Sequence, residues 1–256
     1  MTEPRTFEDL LAEGDAVPVE GWDFSWFEGR ASEDRPSWGY ARLLGERMAE
    51  ASAGLDVQTG GGEVLAGIST APPVLRATEA WPPNLEVARH NLAPLGGEVV
   101  AAPENGELPF DDETFDLVVS RHPVVAVWPE IARVLAPGGT YLSQQVGQGS
   151  VHELTDFMMG PQPIGDERSP RRAAADAEAA GLVVADLRDE TLRMEFHDIA
   201  AVVVFLRKVI WIVPDFTVDG YRDRLAELHE TIGRDGPFVA HSRRFLIEAR
   251  KPAARR

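Results

Sequence analysis

The residues best suited to chemistry are acidic side chains that follow short apolar segments. Asp56 lies just before a glycine-rich turn formed by Gly60, Gly61 and Gly62. The backbone N–H groups of such a turn, placed before a helix, can bind a polar or anionic ligand closely. Glu79 follows the next apolar segment, about twenty residues past the turn, where a carboxylate can accept hydrogen bonds from both hydroxyls of a ribose. This spacing predicts a nucleoside site.

Further residues complete that predicted site. The carboxylate of Glu104 can accept a hydrogen bond from an adenine amino group while a neighbouring backbone N–H supplies the reciprocal bond, and Asn105 follows it directly. Trp81, next to Ala80, can lie against an adenine face, although surface packing beside two prolines explains this ring equally well. Thr59 lies inside the turn. A nicotinamide or flavin site is disfavoured, because the pattern G-x-G-x-x-G would require glycine where Leu65 stands.

Composition excludes or disfavours several classes of protein. The chain has 256 residues and no cysteine, which excludes disulfides, thiolate metal sites and a cysteine nucleophile. Its formal charge of −17 disfavours nucleic acid as a partner, because basic residues supply most of that affinity. A solvated surface explains the basic cluster of Arg168, Arg171 and Arg172, and likewise the pair Arg243 and Arg244.

Metal, hydrolase and membrane functions are not expected either. The spacing of the histidines does not suit a metal site, and no G-x-S-x-G elbow of a serine hydrolase is present. The acidic N-terminus lacks the layout of a signal peptide. The longest apolar stretch, 199–214, is interrupted by Arg207 and Lys208 and is too short to span a bilayer. These patterns predict a cytoplasmic protein with no membrane association.

An alternation of strands and helices would position the acidic residues. Strands are predicted at 54–57, 74–78, 98–101, 115–120 and 140–146, separated by helices that begin near residue 63 and cover 84–92 and 128–135. Strands separated by helices of this length indicate a parallel sheet with helices on both faces. Ligands of such sheets bind at the carboxyl ends of the strands, which is where the acidic residues fall.

The rest of the chain is interpreted as additions to this core within a single domain, 1–256. Residues 1–50 form an N-terminal helical cap, with a helix from Ser37 to Ala51 for which Ser37 is the N-cap. The cofactor-binding core covers 51–148. Two further strands at 182–187 and 245–249 follow a helix at 169–180. A helical insertion or lid at 188–242 contains predicted helices at 199–212 and 221–232.

In their order and spacing, four segments resemble the class I S-adenosylmethionine-dependent methyltransferases. They are L-D-V-Q-T-G-G-G-E at 55–63, T-E-A at 78–80, E-N…L-P-F-D-D-E-T-F-D-L-V-V-S at 104–120 and E-I-A-R-V-L-A-P-G-G-T at 130–140. The resemblance implies a Rossmann-like, doubly wound α/β fold whose seven-stranded sheet is mostly parallel with an antiparallel last strand. It implies S-adenosylmethionine as the cofactor and S-adenosylhomocysteine as the product.

The resemblance also assigns roles to the cofactor residues. Asp56 and the glycine turn would face the methionine end of the cofactor, Glu79 would bind the ribose, and Glu104 with Asn105 the adenine. Ser120 would lie beside the transferable methyl group. One position departs from the pattern, because Gln58 replaces the first glycine of the family's turn. Since glutamine carries a Cβ, we predict that the turn avoids left-handed conformations here, and either the turn adjusts or cofactor affinity falls.

The methyl acceptor is expected beyond the fourth and fifth strands. His122 is the candidate general base, with a structural or substrate-orienting role as the alternative. Arg121, Gln144 and Gln145 are candidate substrate contacts, and one of the two amides can instead satisfy backbone groups. The segments S-R-H and S-Q-Q-V-G look like those of a bacterial subgroup of small-molecule methyltransferases.

Aromatic residues outside the core suggest a lid over a largely apolar substrate, with ordinary core packing as the alternative for each. Trp38 and Tyr40 are the candidate substrate contacts among them; the others are Trp26, Phe27, Phe205, Trp211 and Phe216.

We therefore expect an enzyme that methylates an O or N atom of a small molecule. The alternatives are a catalytically inactive S-adenosylmethionine-binding protein with a regulatory or assembly role, and a methyltransferase acting on RNA or protein. The sequence leaves homodimer formation open, and it does not identify the acceptor.

Overall fold

A computed structural model describes residues 5–19 and 24–253 of the protein. Its strands are β1 (Ala31–Glu33), β2 (Ala53–Asp56), β3 (Val74–Glu79), β4 (Glu98–Ala101), β5 (Phe115–Arg121), β6 (Leu135–Val146), β7 (Val183–Phe196) and β8 (Phe238–Arg250). Its helices are α1 (Phe7–Ala16), α2 (Tyr40–Glu50), α3 (Glu63–Ala66), α4 (Pro82–Leu92), α5 (Trp128–Val134), α6 (His152–Met159), α7 (Pro170–Ala179), α8 (Ile199–Lys208) and α9 (Arg222–Asp235).

The strands form one mostly parallel sheet in the order β1-β7-β8-β6-β5-β2-β3-β4. The pairs β5–β6, β2–β5, β2–β3 and β3–β4 are parallel, whereas β6–β8 and β1–β7 are antiparallel. The predicted Rossmann-like class and the antiparallel last strand are confirmed. The predicted number of seven strands is wrong, because the three-residue edge strand β1 adds an eighth. Its segment has one partly buried residue and no apolar alternation that could reveal a strand.

The parallel register brings the carboxyl ends of the strands to one edge. Asp56, the last residue of β2, lies opposite Val119 of β5, and Glu79, the last residue of β3, lies opposite Ala101 of β4. Arg121 at the end of β5 pairs with Gln144 of β6. The side chains that the sequence singles out therefore follow adjacent strands at the edge where ligands of α/β sheets bind.

The chain divides into two compact units: residues 1–35, 149–165 and 191–243 form the first, and residues 36–148, 166–190 and 244–256 form the second. The core of the first unit is built on α8, in which every residue from Ile199 to Leu206 is buried. A helix that is apolar on all sides must be covered on all sides. The helix ends at Lys208 and is therefore shorter than the predicted 199–212. In its last turn Arg207 donates to the carbonyl groups of Gly14 and Val17.

The second unit packs helices against both faces of the sheet. Because side chains alternate along a strand, Leu117 and Val119 of β5 join the core beneath α2, α3 and α4, while Val118 joins the core beneath α5 and α7. Trp38 and Tyr40 are buried in the first of these cores. In the first unit, Phe27 and Phe205 belong to that unit's own core, which is the packing role that we gave as the alternative to a lid.

Several element boundaries differ from the predicted ones. The helix predicted from Ser37 begins at Tyr40, with Gly39 in a left-handed conformation at its N-cap. Ser37 is not the cap, because its N–H and hydroxyl both donate to the carboxylate of Glu190. Strands β7 and β8 extend over 14 and 13 residues, well beyond 182–187 and 245–249. In β7, exposed charged residues interrupt the apolar alternation that would mark a strand.

No helix within residues 5–19 and 24–253 is long and apolar enough to cross a membrane.

A close approach of α1 to α8 makes one glycine sensitive to substitution. A Cβ on Gly14 would lie 2.9 Å from Cβ of Val203 and 3.0 Å from the carbonyl oxygen of Ala200. We expect Gly14→Ala to lower the free energy of unfolding by about 1–3 kcal/mol, because the packed helices must separate. The matched control is Gly45→Ala in α2, where a Cβ meets nothing within 4 Å. This change should raise the free energy of unfolding by about 0.5–1 kcal/mol, because alanine favours the helix more than glycine does. Urea unfolding of both variants checks the opposite signs, and a stable Gly14→Ala protein would contradict the close packing.

Candidate active site at the strand ends

The turn after β2 is held to the end of β3 by main-chain hydrogen bonds. The N–H of Thr59 donates to the carbonyl of Thr78 at 2.9 Å, and the N–H of Gly60 donates to Oε2 of Glu79 at 2.8 Å. Gly60 and Gly62 have φ values of 65° and 74°, which glycine adopts without a Cβ penalty. The two segments predicted to bind a nucleoside are therefore joined directly to each other.

Gln58 contradicts the expectation that the turn avoids left-handed backbone at the first glycine position. Its φ is 58°, so the turn keeps a glycine-like conformation with glutamine in place. This conformation costs an L-residue about 1–2 kcal/mol. Hydrogen bonds of Gln58 offset this cost. One of them is made by its backbone N–H, which donates to the hydroxyl of Thr78 at 3.2 Å.

The side chain of Gln58 reaches two other loops at the strand ends. Nε2 donates to the carbonyl groups of Glu104 at 3.1 Å and Val125 at 2.8 Å, and Oε1 accepts from the N–H of Val124 at 2.7 Å. Glu104 follows β4, and the two valines follow β5. We call these three hydrogen bonds the Gln58 bridge. The bridge joins the turn after β2 to the loops on which the adenine and the methyl group were predicted to lie.

Two carboxyl groups lie buried beside the turn, each with 7% of the residue exposed. Burial raises the pKa of Asp56 to about 7, partly opposed by a 2.7 Å hydrogen bond from the hydroxyl of Thr59, and the charge of Glu79 raises it further. Burial also raises the pKa of Glu79, while backbone N–H groups of Trp81 and Gly60 lower it. A hydroxyl or cationic partner would stabilise the ionised form of both groups.

The predicted adenine residues are mostly at the surface. Glu104 and Asn105 are exposed, and Trp81 is 44% exposed at the start of α4, where its N–H donates to Oε1 of Glu79. Val57, Glu104, Ser120, Val125 and Tyr141 are among the residues that line a cavity of about 10 Å³. A cavity of that size holds about one water molecule, which is far too little for a purine ring.

Three residues of the predicted acceptor site form a hydrogen-bonded chain. Nε1 of Trp38 donates to Oε1 of Gln144 at 2.8 Å, and Nε2 of Gln144 lies 3.0 Å from Nε2 of His122. The indole nitrogen can only donate, so the amide oxygen of Gln144 must face Trp38, and its nitrogen must donate to His122. The chain therefore places the proton of the imidazole on Nδ1.

The surroundings of His122 keep its imidazole neutral. Burial lowers its pKa well below the usual value, and the positive charges of Arg121, Arg244 and Arg168 lower it further. The lone pair of Nε2 accepts from Gln144, while Nδ1 carries the proton. This arrangement favours the substrate-orienting alternative for His122 over the general base. Its φ of 54° is also left-handed, a backbone strain of the kind that clusters at functional sites.

The three arginines come from separate segments at this edge of the sheet. Arg121 ends β5, and Arg244 of β8 pairs with Val146 of β6. The carbonyl of Arg168 accepts from the N–H of Gln148, just after β6. We expected Arg168 and Arg244 to be solvated surface residues, and that expectation is wrong because both are partly buried near His122. No local spacing in the sequence signals their convergence.

The remaining predicted residues lie on the opposite face of β5 and β6. The hydroxyl of Ser120 hydrogen bonds with those of Tyr141 and Ser143, at 2.7 and 2.8 Å, and its carbonyl accepts from the hydroxyl of Tyr40 at 3.0 Å. Of the two adjacent amides, Gln144 hydrogen bonds with Trp38 and His122, whereas Gln145 interacts with the hydroxyl of Tyr141 on the opposite face.

The residues at the turn fit S-adenosylmethionine in their chemistry. Each carboxylate oxygen of Glu79 accepts one backbone N–H and retains a lone pair for a ribose hydroxyl. The buried carboxyl of Asp56 suits the ammonium group of the methionine end. The Gln58 bridge spans the loops between which the sequence predicted the adenosine to lie. Among the described residues no group of three or more His, Asp or Glu side chains could hold a metal ion.

Comparisons with known proteins agree with this geometry. Residues 55–143 match a protein-family model described as a methyltransferase domain. The YcgJ protein of Bacillus subtilis has a TM-score of 0.61 at 19% identity, over 84% of this chain and 98% of that one. A Bacillus halodurans protein assigned as a methyltransferase has a TM-score of 0.56 at 20% identity, over 83% and 99%. A Galdieria sulphuraria protein assigned as a sarcosine dimethylglycine methyltransferase has a TM-score of 0.53 at 17% identity, over 96% and 98%.

A search of the curated proteins gives no match. The fold is that of the class I, Rossmann-like methyltransferases. Residues 55–143 carry a methyltransferase domain.

The raised pKa of Asp56 predicts a stability that depends on pH. In the unfolded chain its carboxyl ionises near pH 4, whereas in the folded protein it ionises near 7. The wild type therefore loses stability as pH rises from about 4 to about 7. An amide cannot ionise, so Asp56→Asn should stabilise the free protein by about 2–3 kcal/mol more at pH 8 than at pH 5. Urea unfolding at both pH values measures this difference, and an equal effect at the two would contradict the buried carboxyl.

Proposed function

We propose that the protein methylates an O or N atom of a small molecule bearing an anionic group, beside His122 at the ends of β5 and β6. The observation that carries this proposal is the 3.0 Å contact between Nε2 of Gln144 and Nε2 of His122 just after β5, where the charges of Arg121, Arg244 and Arg168 lower the pKa of the imidazole. In a protein with a formal charge of −17, positive charge at this strand end favours an anionic ligand.

For the cofactor we propose the following contacts. Glu79 holds the ribose hydroxyls, and Asp56 holds the methionine ammonium with Thr59 orienting its carboxyl. The backbone of Gly60, Gly61 and Gly62, which carries no side chain, lets the ligand approach closely. The adenine lies between Ala80-Trp81 and Glu104-Asn105, and Ser120 contributes from the end of β5. When bound, S-adenosylmethionine supplies an electrophilic methyl group.

The protein's own task is then to position the acceptor and keep the geometry fixed. Holding the reacting atoms at near-attack distance can supply several kcal/mol of the barrier. Trp38 and Gln144 lock the imidazole of His122 with its proton on Nδ1, so this ring can donate a hydrogen bond to the acceptor. Tyr40 holds the carbonyl of Ser120 in place.

An anionic acceptor follows from the charge at this edge. Guanidinium groups bind carboxylate and phosphate with paired hydrogen bonds. The positive charges of Arg121, Arg244 and Arg168 act on His122, which supports a binding place for such a group beside the imidazole. Sarcosine and dimethylglycine, named for the Galdieria protein, are carboxylates of this kind. An RNA acceptor is disfavoured by the acidic surface.

A protein that binds the cofactor without catalysis is the second candidate. The observation that favours it is the Gln58 bridge, which lies across the predicted adenosine path. Cofactor binding without turnover on any acceptor would support this candidate.

The ribose contact predicts a loss of affinity without loss of the fold. We expect Glu79→Gln to weaken binding of S-adenosylhomocysteine by about 1–3 kcal/mol, because an amide replaces the charged acceptor of two hydroxyl groups. Isothermal titration calorimetry measures this change. Glu86→Gln is the matched control: Glu86 is an exposed glutamate of α4 paired with Arg89, and the variant should bind as the wild type does. Equal affinity for all three proteins would remove Glu79 from the site.

The anionic acceptor predicts a preference that turnover can reveal. The assay measures formation of S-adenosylhomocysteine with pairs of candidate acceptors. In each pair one compound bears a free carboxylate or phosphate, and the other bears the uncharged ester or amide in its place. We expect the anionic compound to be methylated at least tenfold faster. The uncharged compound cannot pair with a guanidinium group, and a tenfold slower reaction corresponds to a loss of about 1.4 kcal/mol. A faster reaction with the uncharged partner of each pair would contradict the proposal.

A binding measurement with inorganic phosphate accompanies this assay. Phosphate at the arginines should raise the pKa of His122, because it offsets the charges that disfavour the imidazolium. NMR titration of the imidazole follows the change. Arg168→Gln should reduce it, whereas Arg171→Gln, at an exposed position of α7, should leave it intact.

A further inference from the structure

The Gln58 bridge closes the adenosine path in the free protein. Its donors and acceptors belong to the turn after β2 and to the loops after β4 and β5. These are the segments between which a nucleoside held by Glu79 would have to lie. The cavity of about 10 Å³ that these same loops line has no room for a purine. A ligand that contacts both Glu79 and the loop at Glu104 must therefore displace the side chain of Gln58.

The amide of Gln58 is also fully used in this closed arrangement. Its oxygen accepts one main-chain N–H, and its nitrogen donates to two main-chain carbonyl groups. The side chain thus satisfies polar groups of the two loops that a nucleobase could otherwise contact. A left-handed backbone at a residue with a Cβ persists only where such contacts hold it.

We propose that Gln58 is a latch that sets the affinity and the rate of cofactor binding. In the free protein the latch holds the adenosine crevice closed, and the cofactor binds the fraction of molecules in which it has opened. The apparent dissociation constant is then the intrinsic constant divided by that open fraction. This inference rests on the cofactor site described above and adds to it a residue that opposes binding.

Two substitutions separate the contributions of the latch. Gln58→Ala removes the three hydrogen bonds but keeps the Cβ and its left-handed strain. Gln58→Gly removes both. Gln162→Ala is the matched control, since Nε2 of Gln162 also donates to two main-chain carbonyl groups, those of Met159 and Gly160, in the other unit of the chain.

The experiment is isothermal titration calorimetry of the full chain with S-adenosylhomocysteine. We expect Gln58→Ala and Gln58→Gly to bind about tenfold more tightly than the wild type, as breaking a few partly exposed hydrogen bonds would allow. Gln162→Ala should bind as the wild type does. Without ligand, Gln58→Ala should melt at a lower temperature than the wild type, and Gln58→Gly should regain part of the loss because its strain is relieved.

A second readout follows the latch directly and does not depend on affinity. The N–H of Val124 donates to Oε1 of Gln58, so its hydrogen exchange should speed up when S-adenosylhomocysteine binds and in unliganded Gln58→Ala. Equal or weaker binding by Gln58→Ala, with exchange at Val124 unchanged by ligand, would overturn the latch while leaving the cofactor site intact. Absence of binding in all four proteins would overturn both the latch and the cofactor site.

Discussion

The carboxylate of Glu79 is the constraint on which the strand-end site depends. It accepts hydrogen bonds from N–H groups in the turn after β2 and at the start of α4. A single buried carboxylate therefore holds together two segments that are separate in the sequence. Backbone donors in a partly buried setting bind a charged acceptor strongly. Gly60 and Gly62 suit this turn because their φ values of 65° and 74° are left-handed, which glycine adopts without a Cβ penalty. The same carboxylate oxygens are those that we propose to bind the ribose hydroxyls.

The acceptor side is built in another way, from neutral groups held by residues distant in the chain. Trp38 contacts Gln144 across 106 positions, and Gln144 in turn orients His122. Since an indole can only donate, the direction of the whole chain of hydrogen bonds follows from one residue. Positive charge enters from the arginines of three segments. In the proposed acceptor site, the hydrogen bonds between Trp38, Gln144 and His122 fix the orientation of the imidazole, and the arginines supply the positive charge.

The sequence predicted the fold class and the positions of the acidic residues at the strand ends because those depend on local patterns. Apolar segments at regular spacing place Asp56 and Glu79 at strand ends. Contacts between distant segments could not be predicted in this way. The left-handed backbone of Gln58 is held by partners near residues 104 and 124, and glutamine in isolation would avoid it. Likewise, Arg244 reaches this edge by pairing with Val146, and Arg168 by a main-chain hydrogen bond with Gln148. Neither contact leaves a local signal in the sequence.

The two halves of the site differ in how they respond to acidity. Asp56, on the donor side, titrates at about 7, whereas His122, on the acceptor side, stays neutral and its neighbouring guanidinium groups stay charged. If the methionine end of the donor binds at Asp56 as we propose, mild acidification would protonate its partner carboxyl and leave the charges near His122 unchanged. Acidity would then act on the methyl donor before it acts on the acceptor.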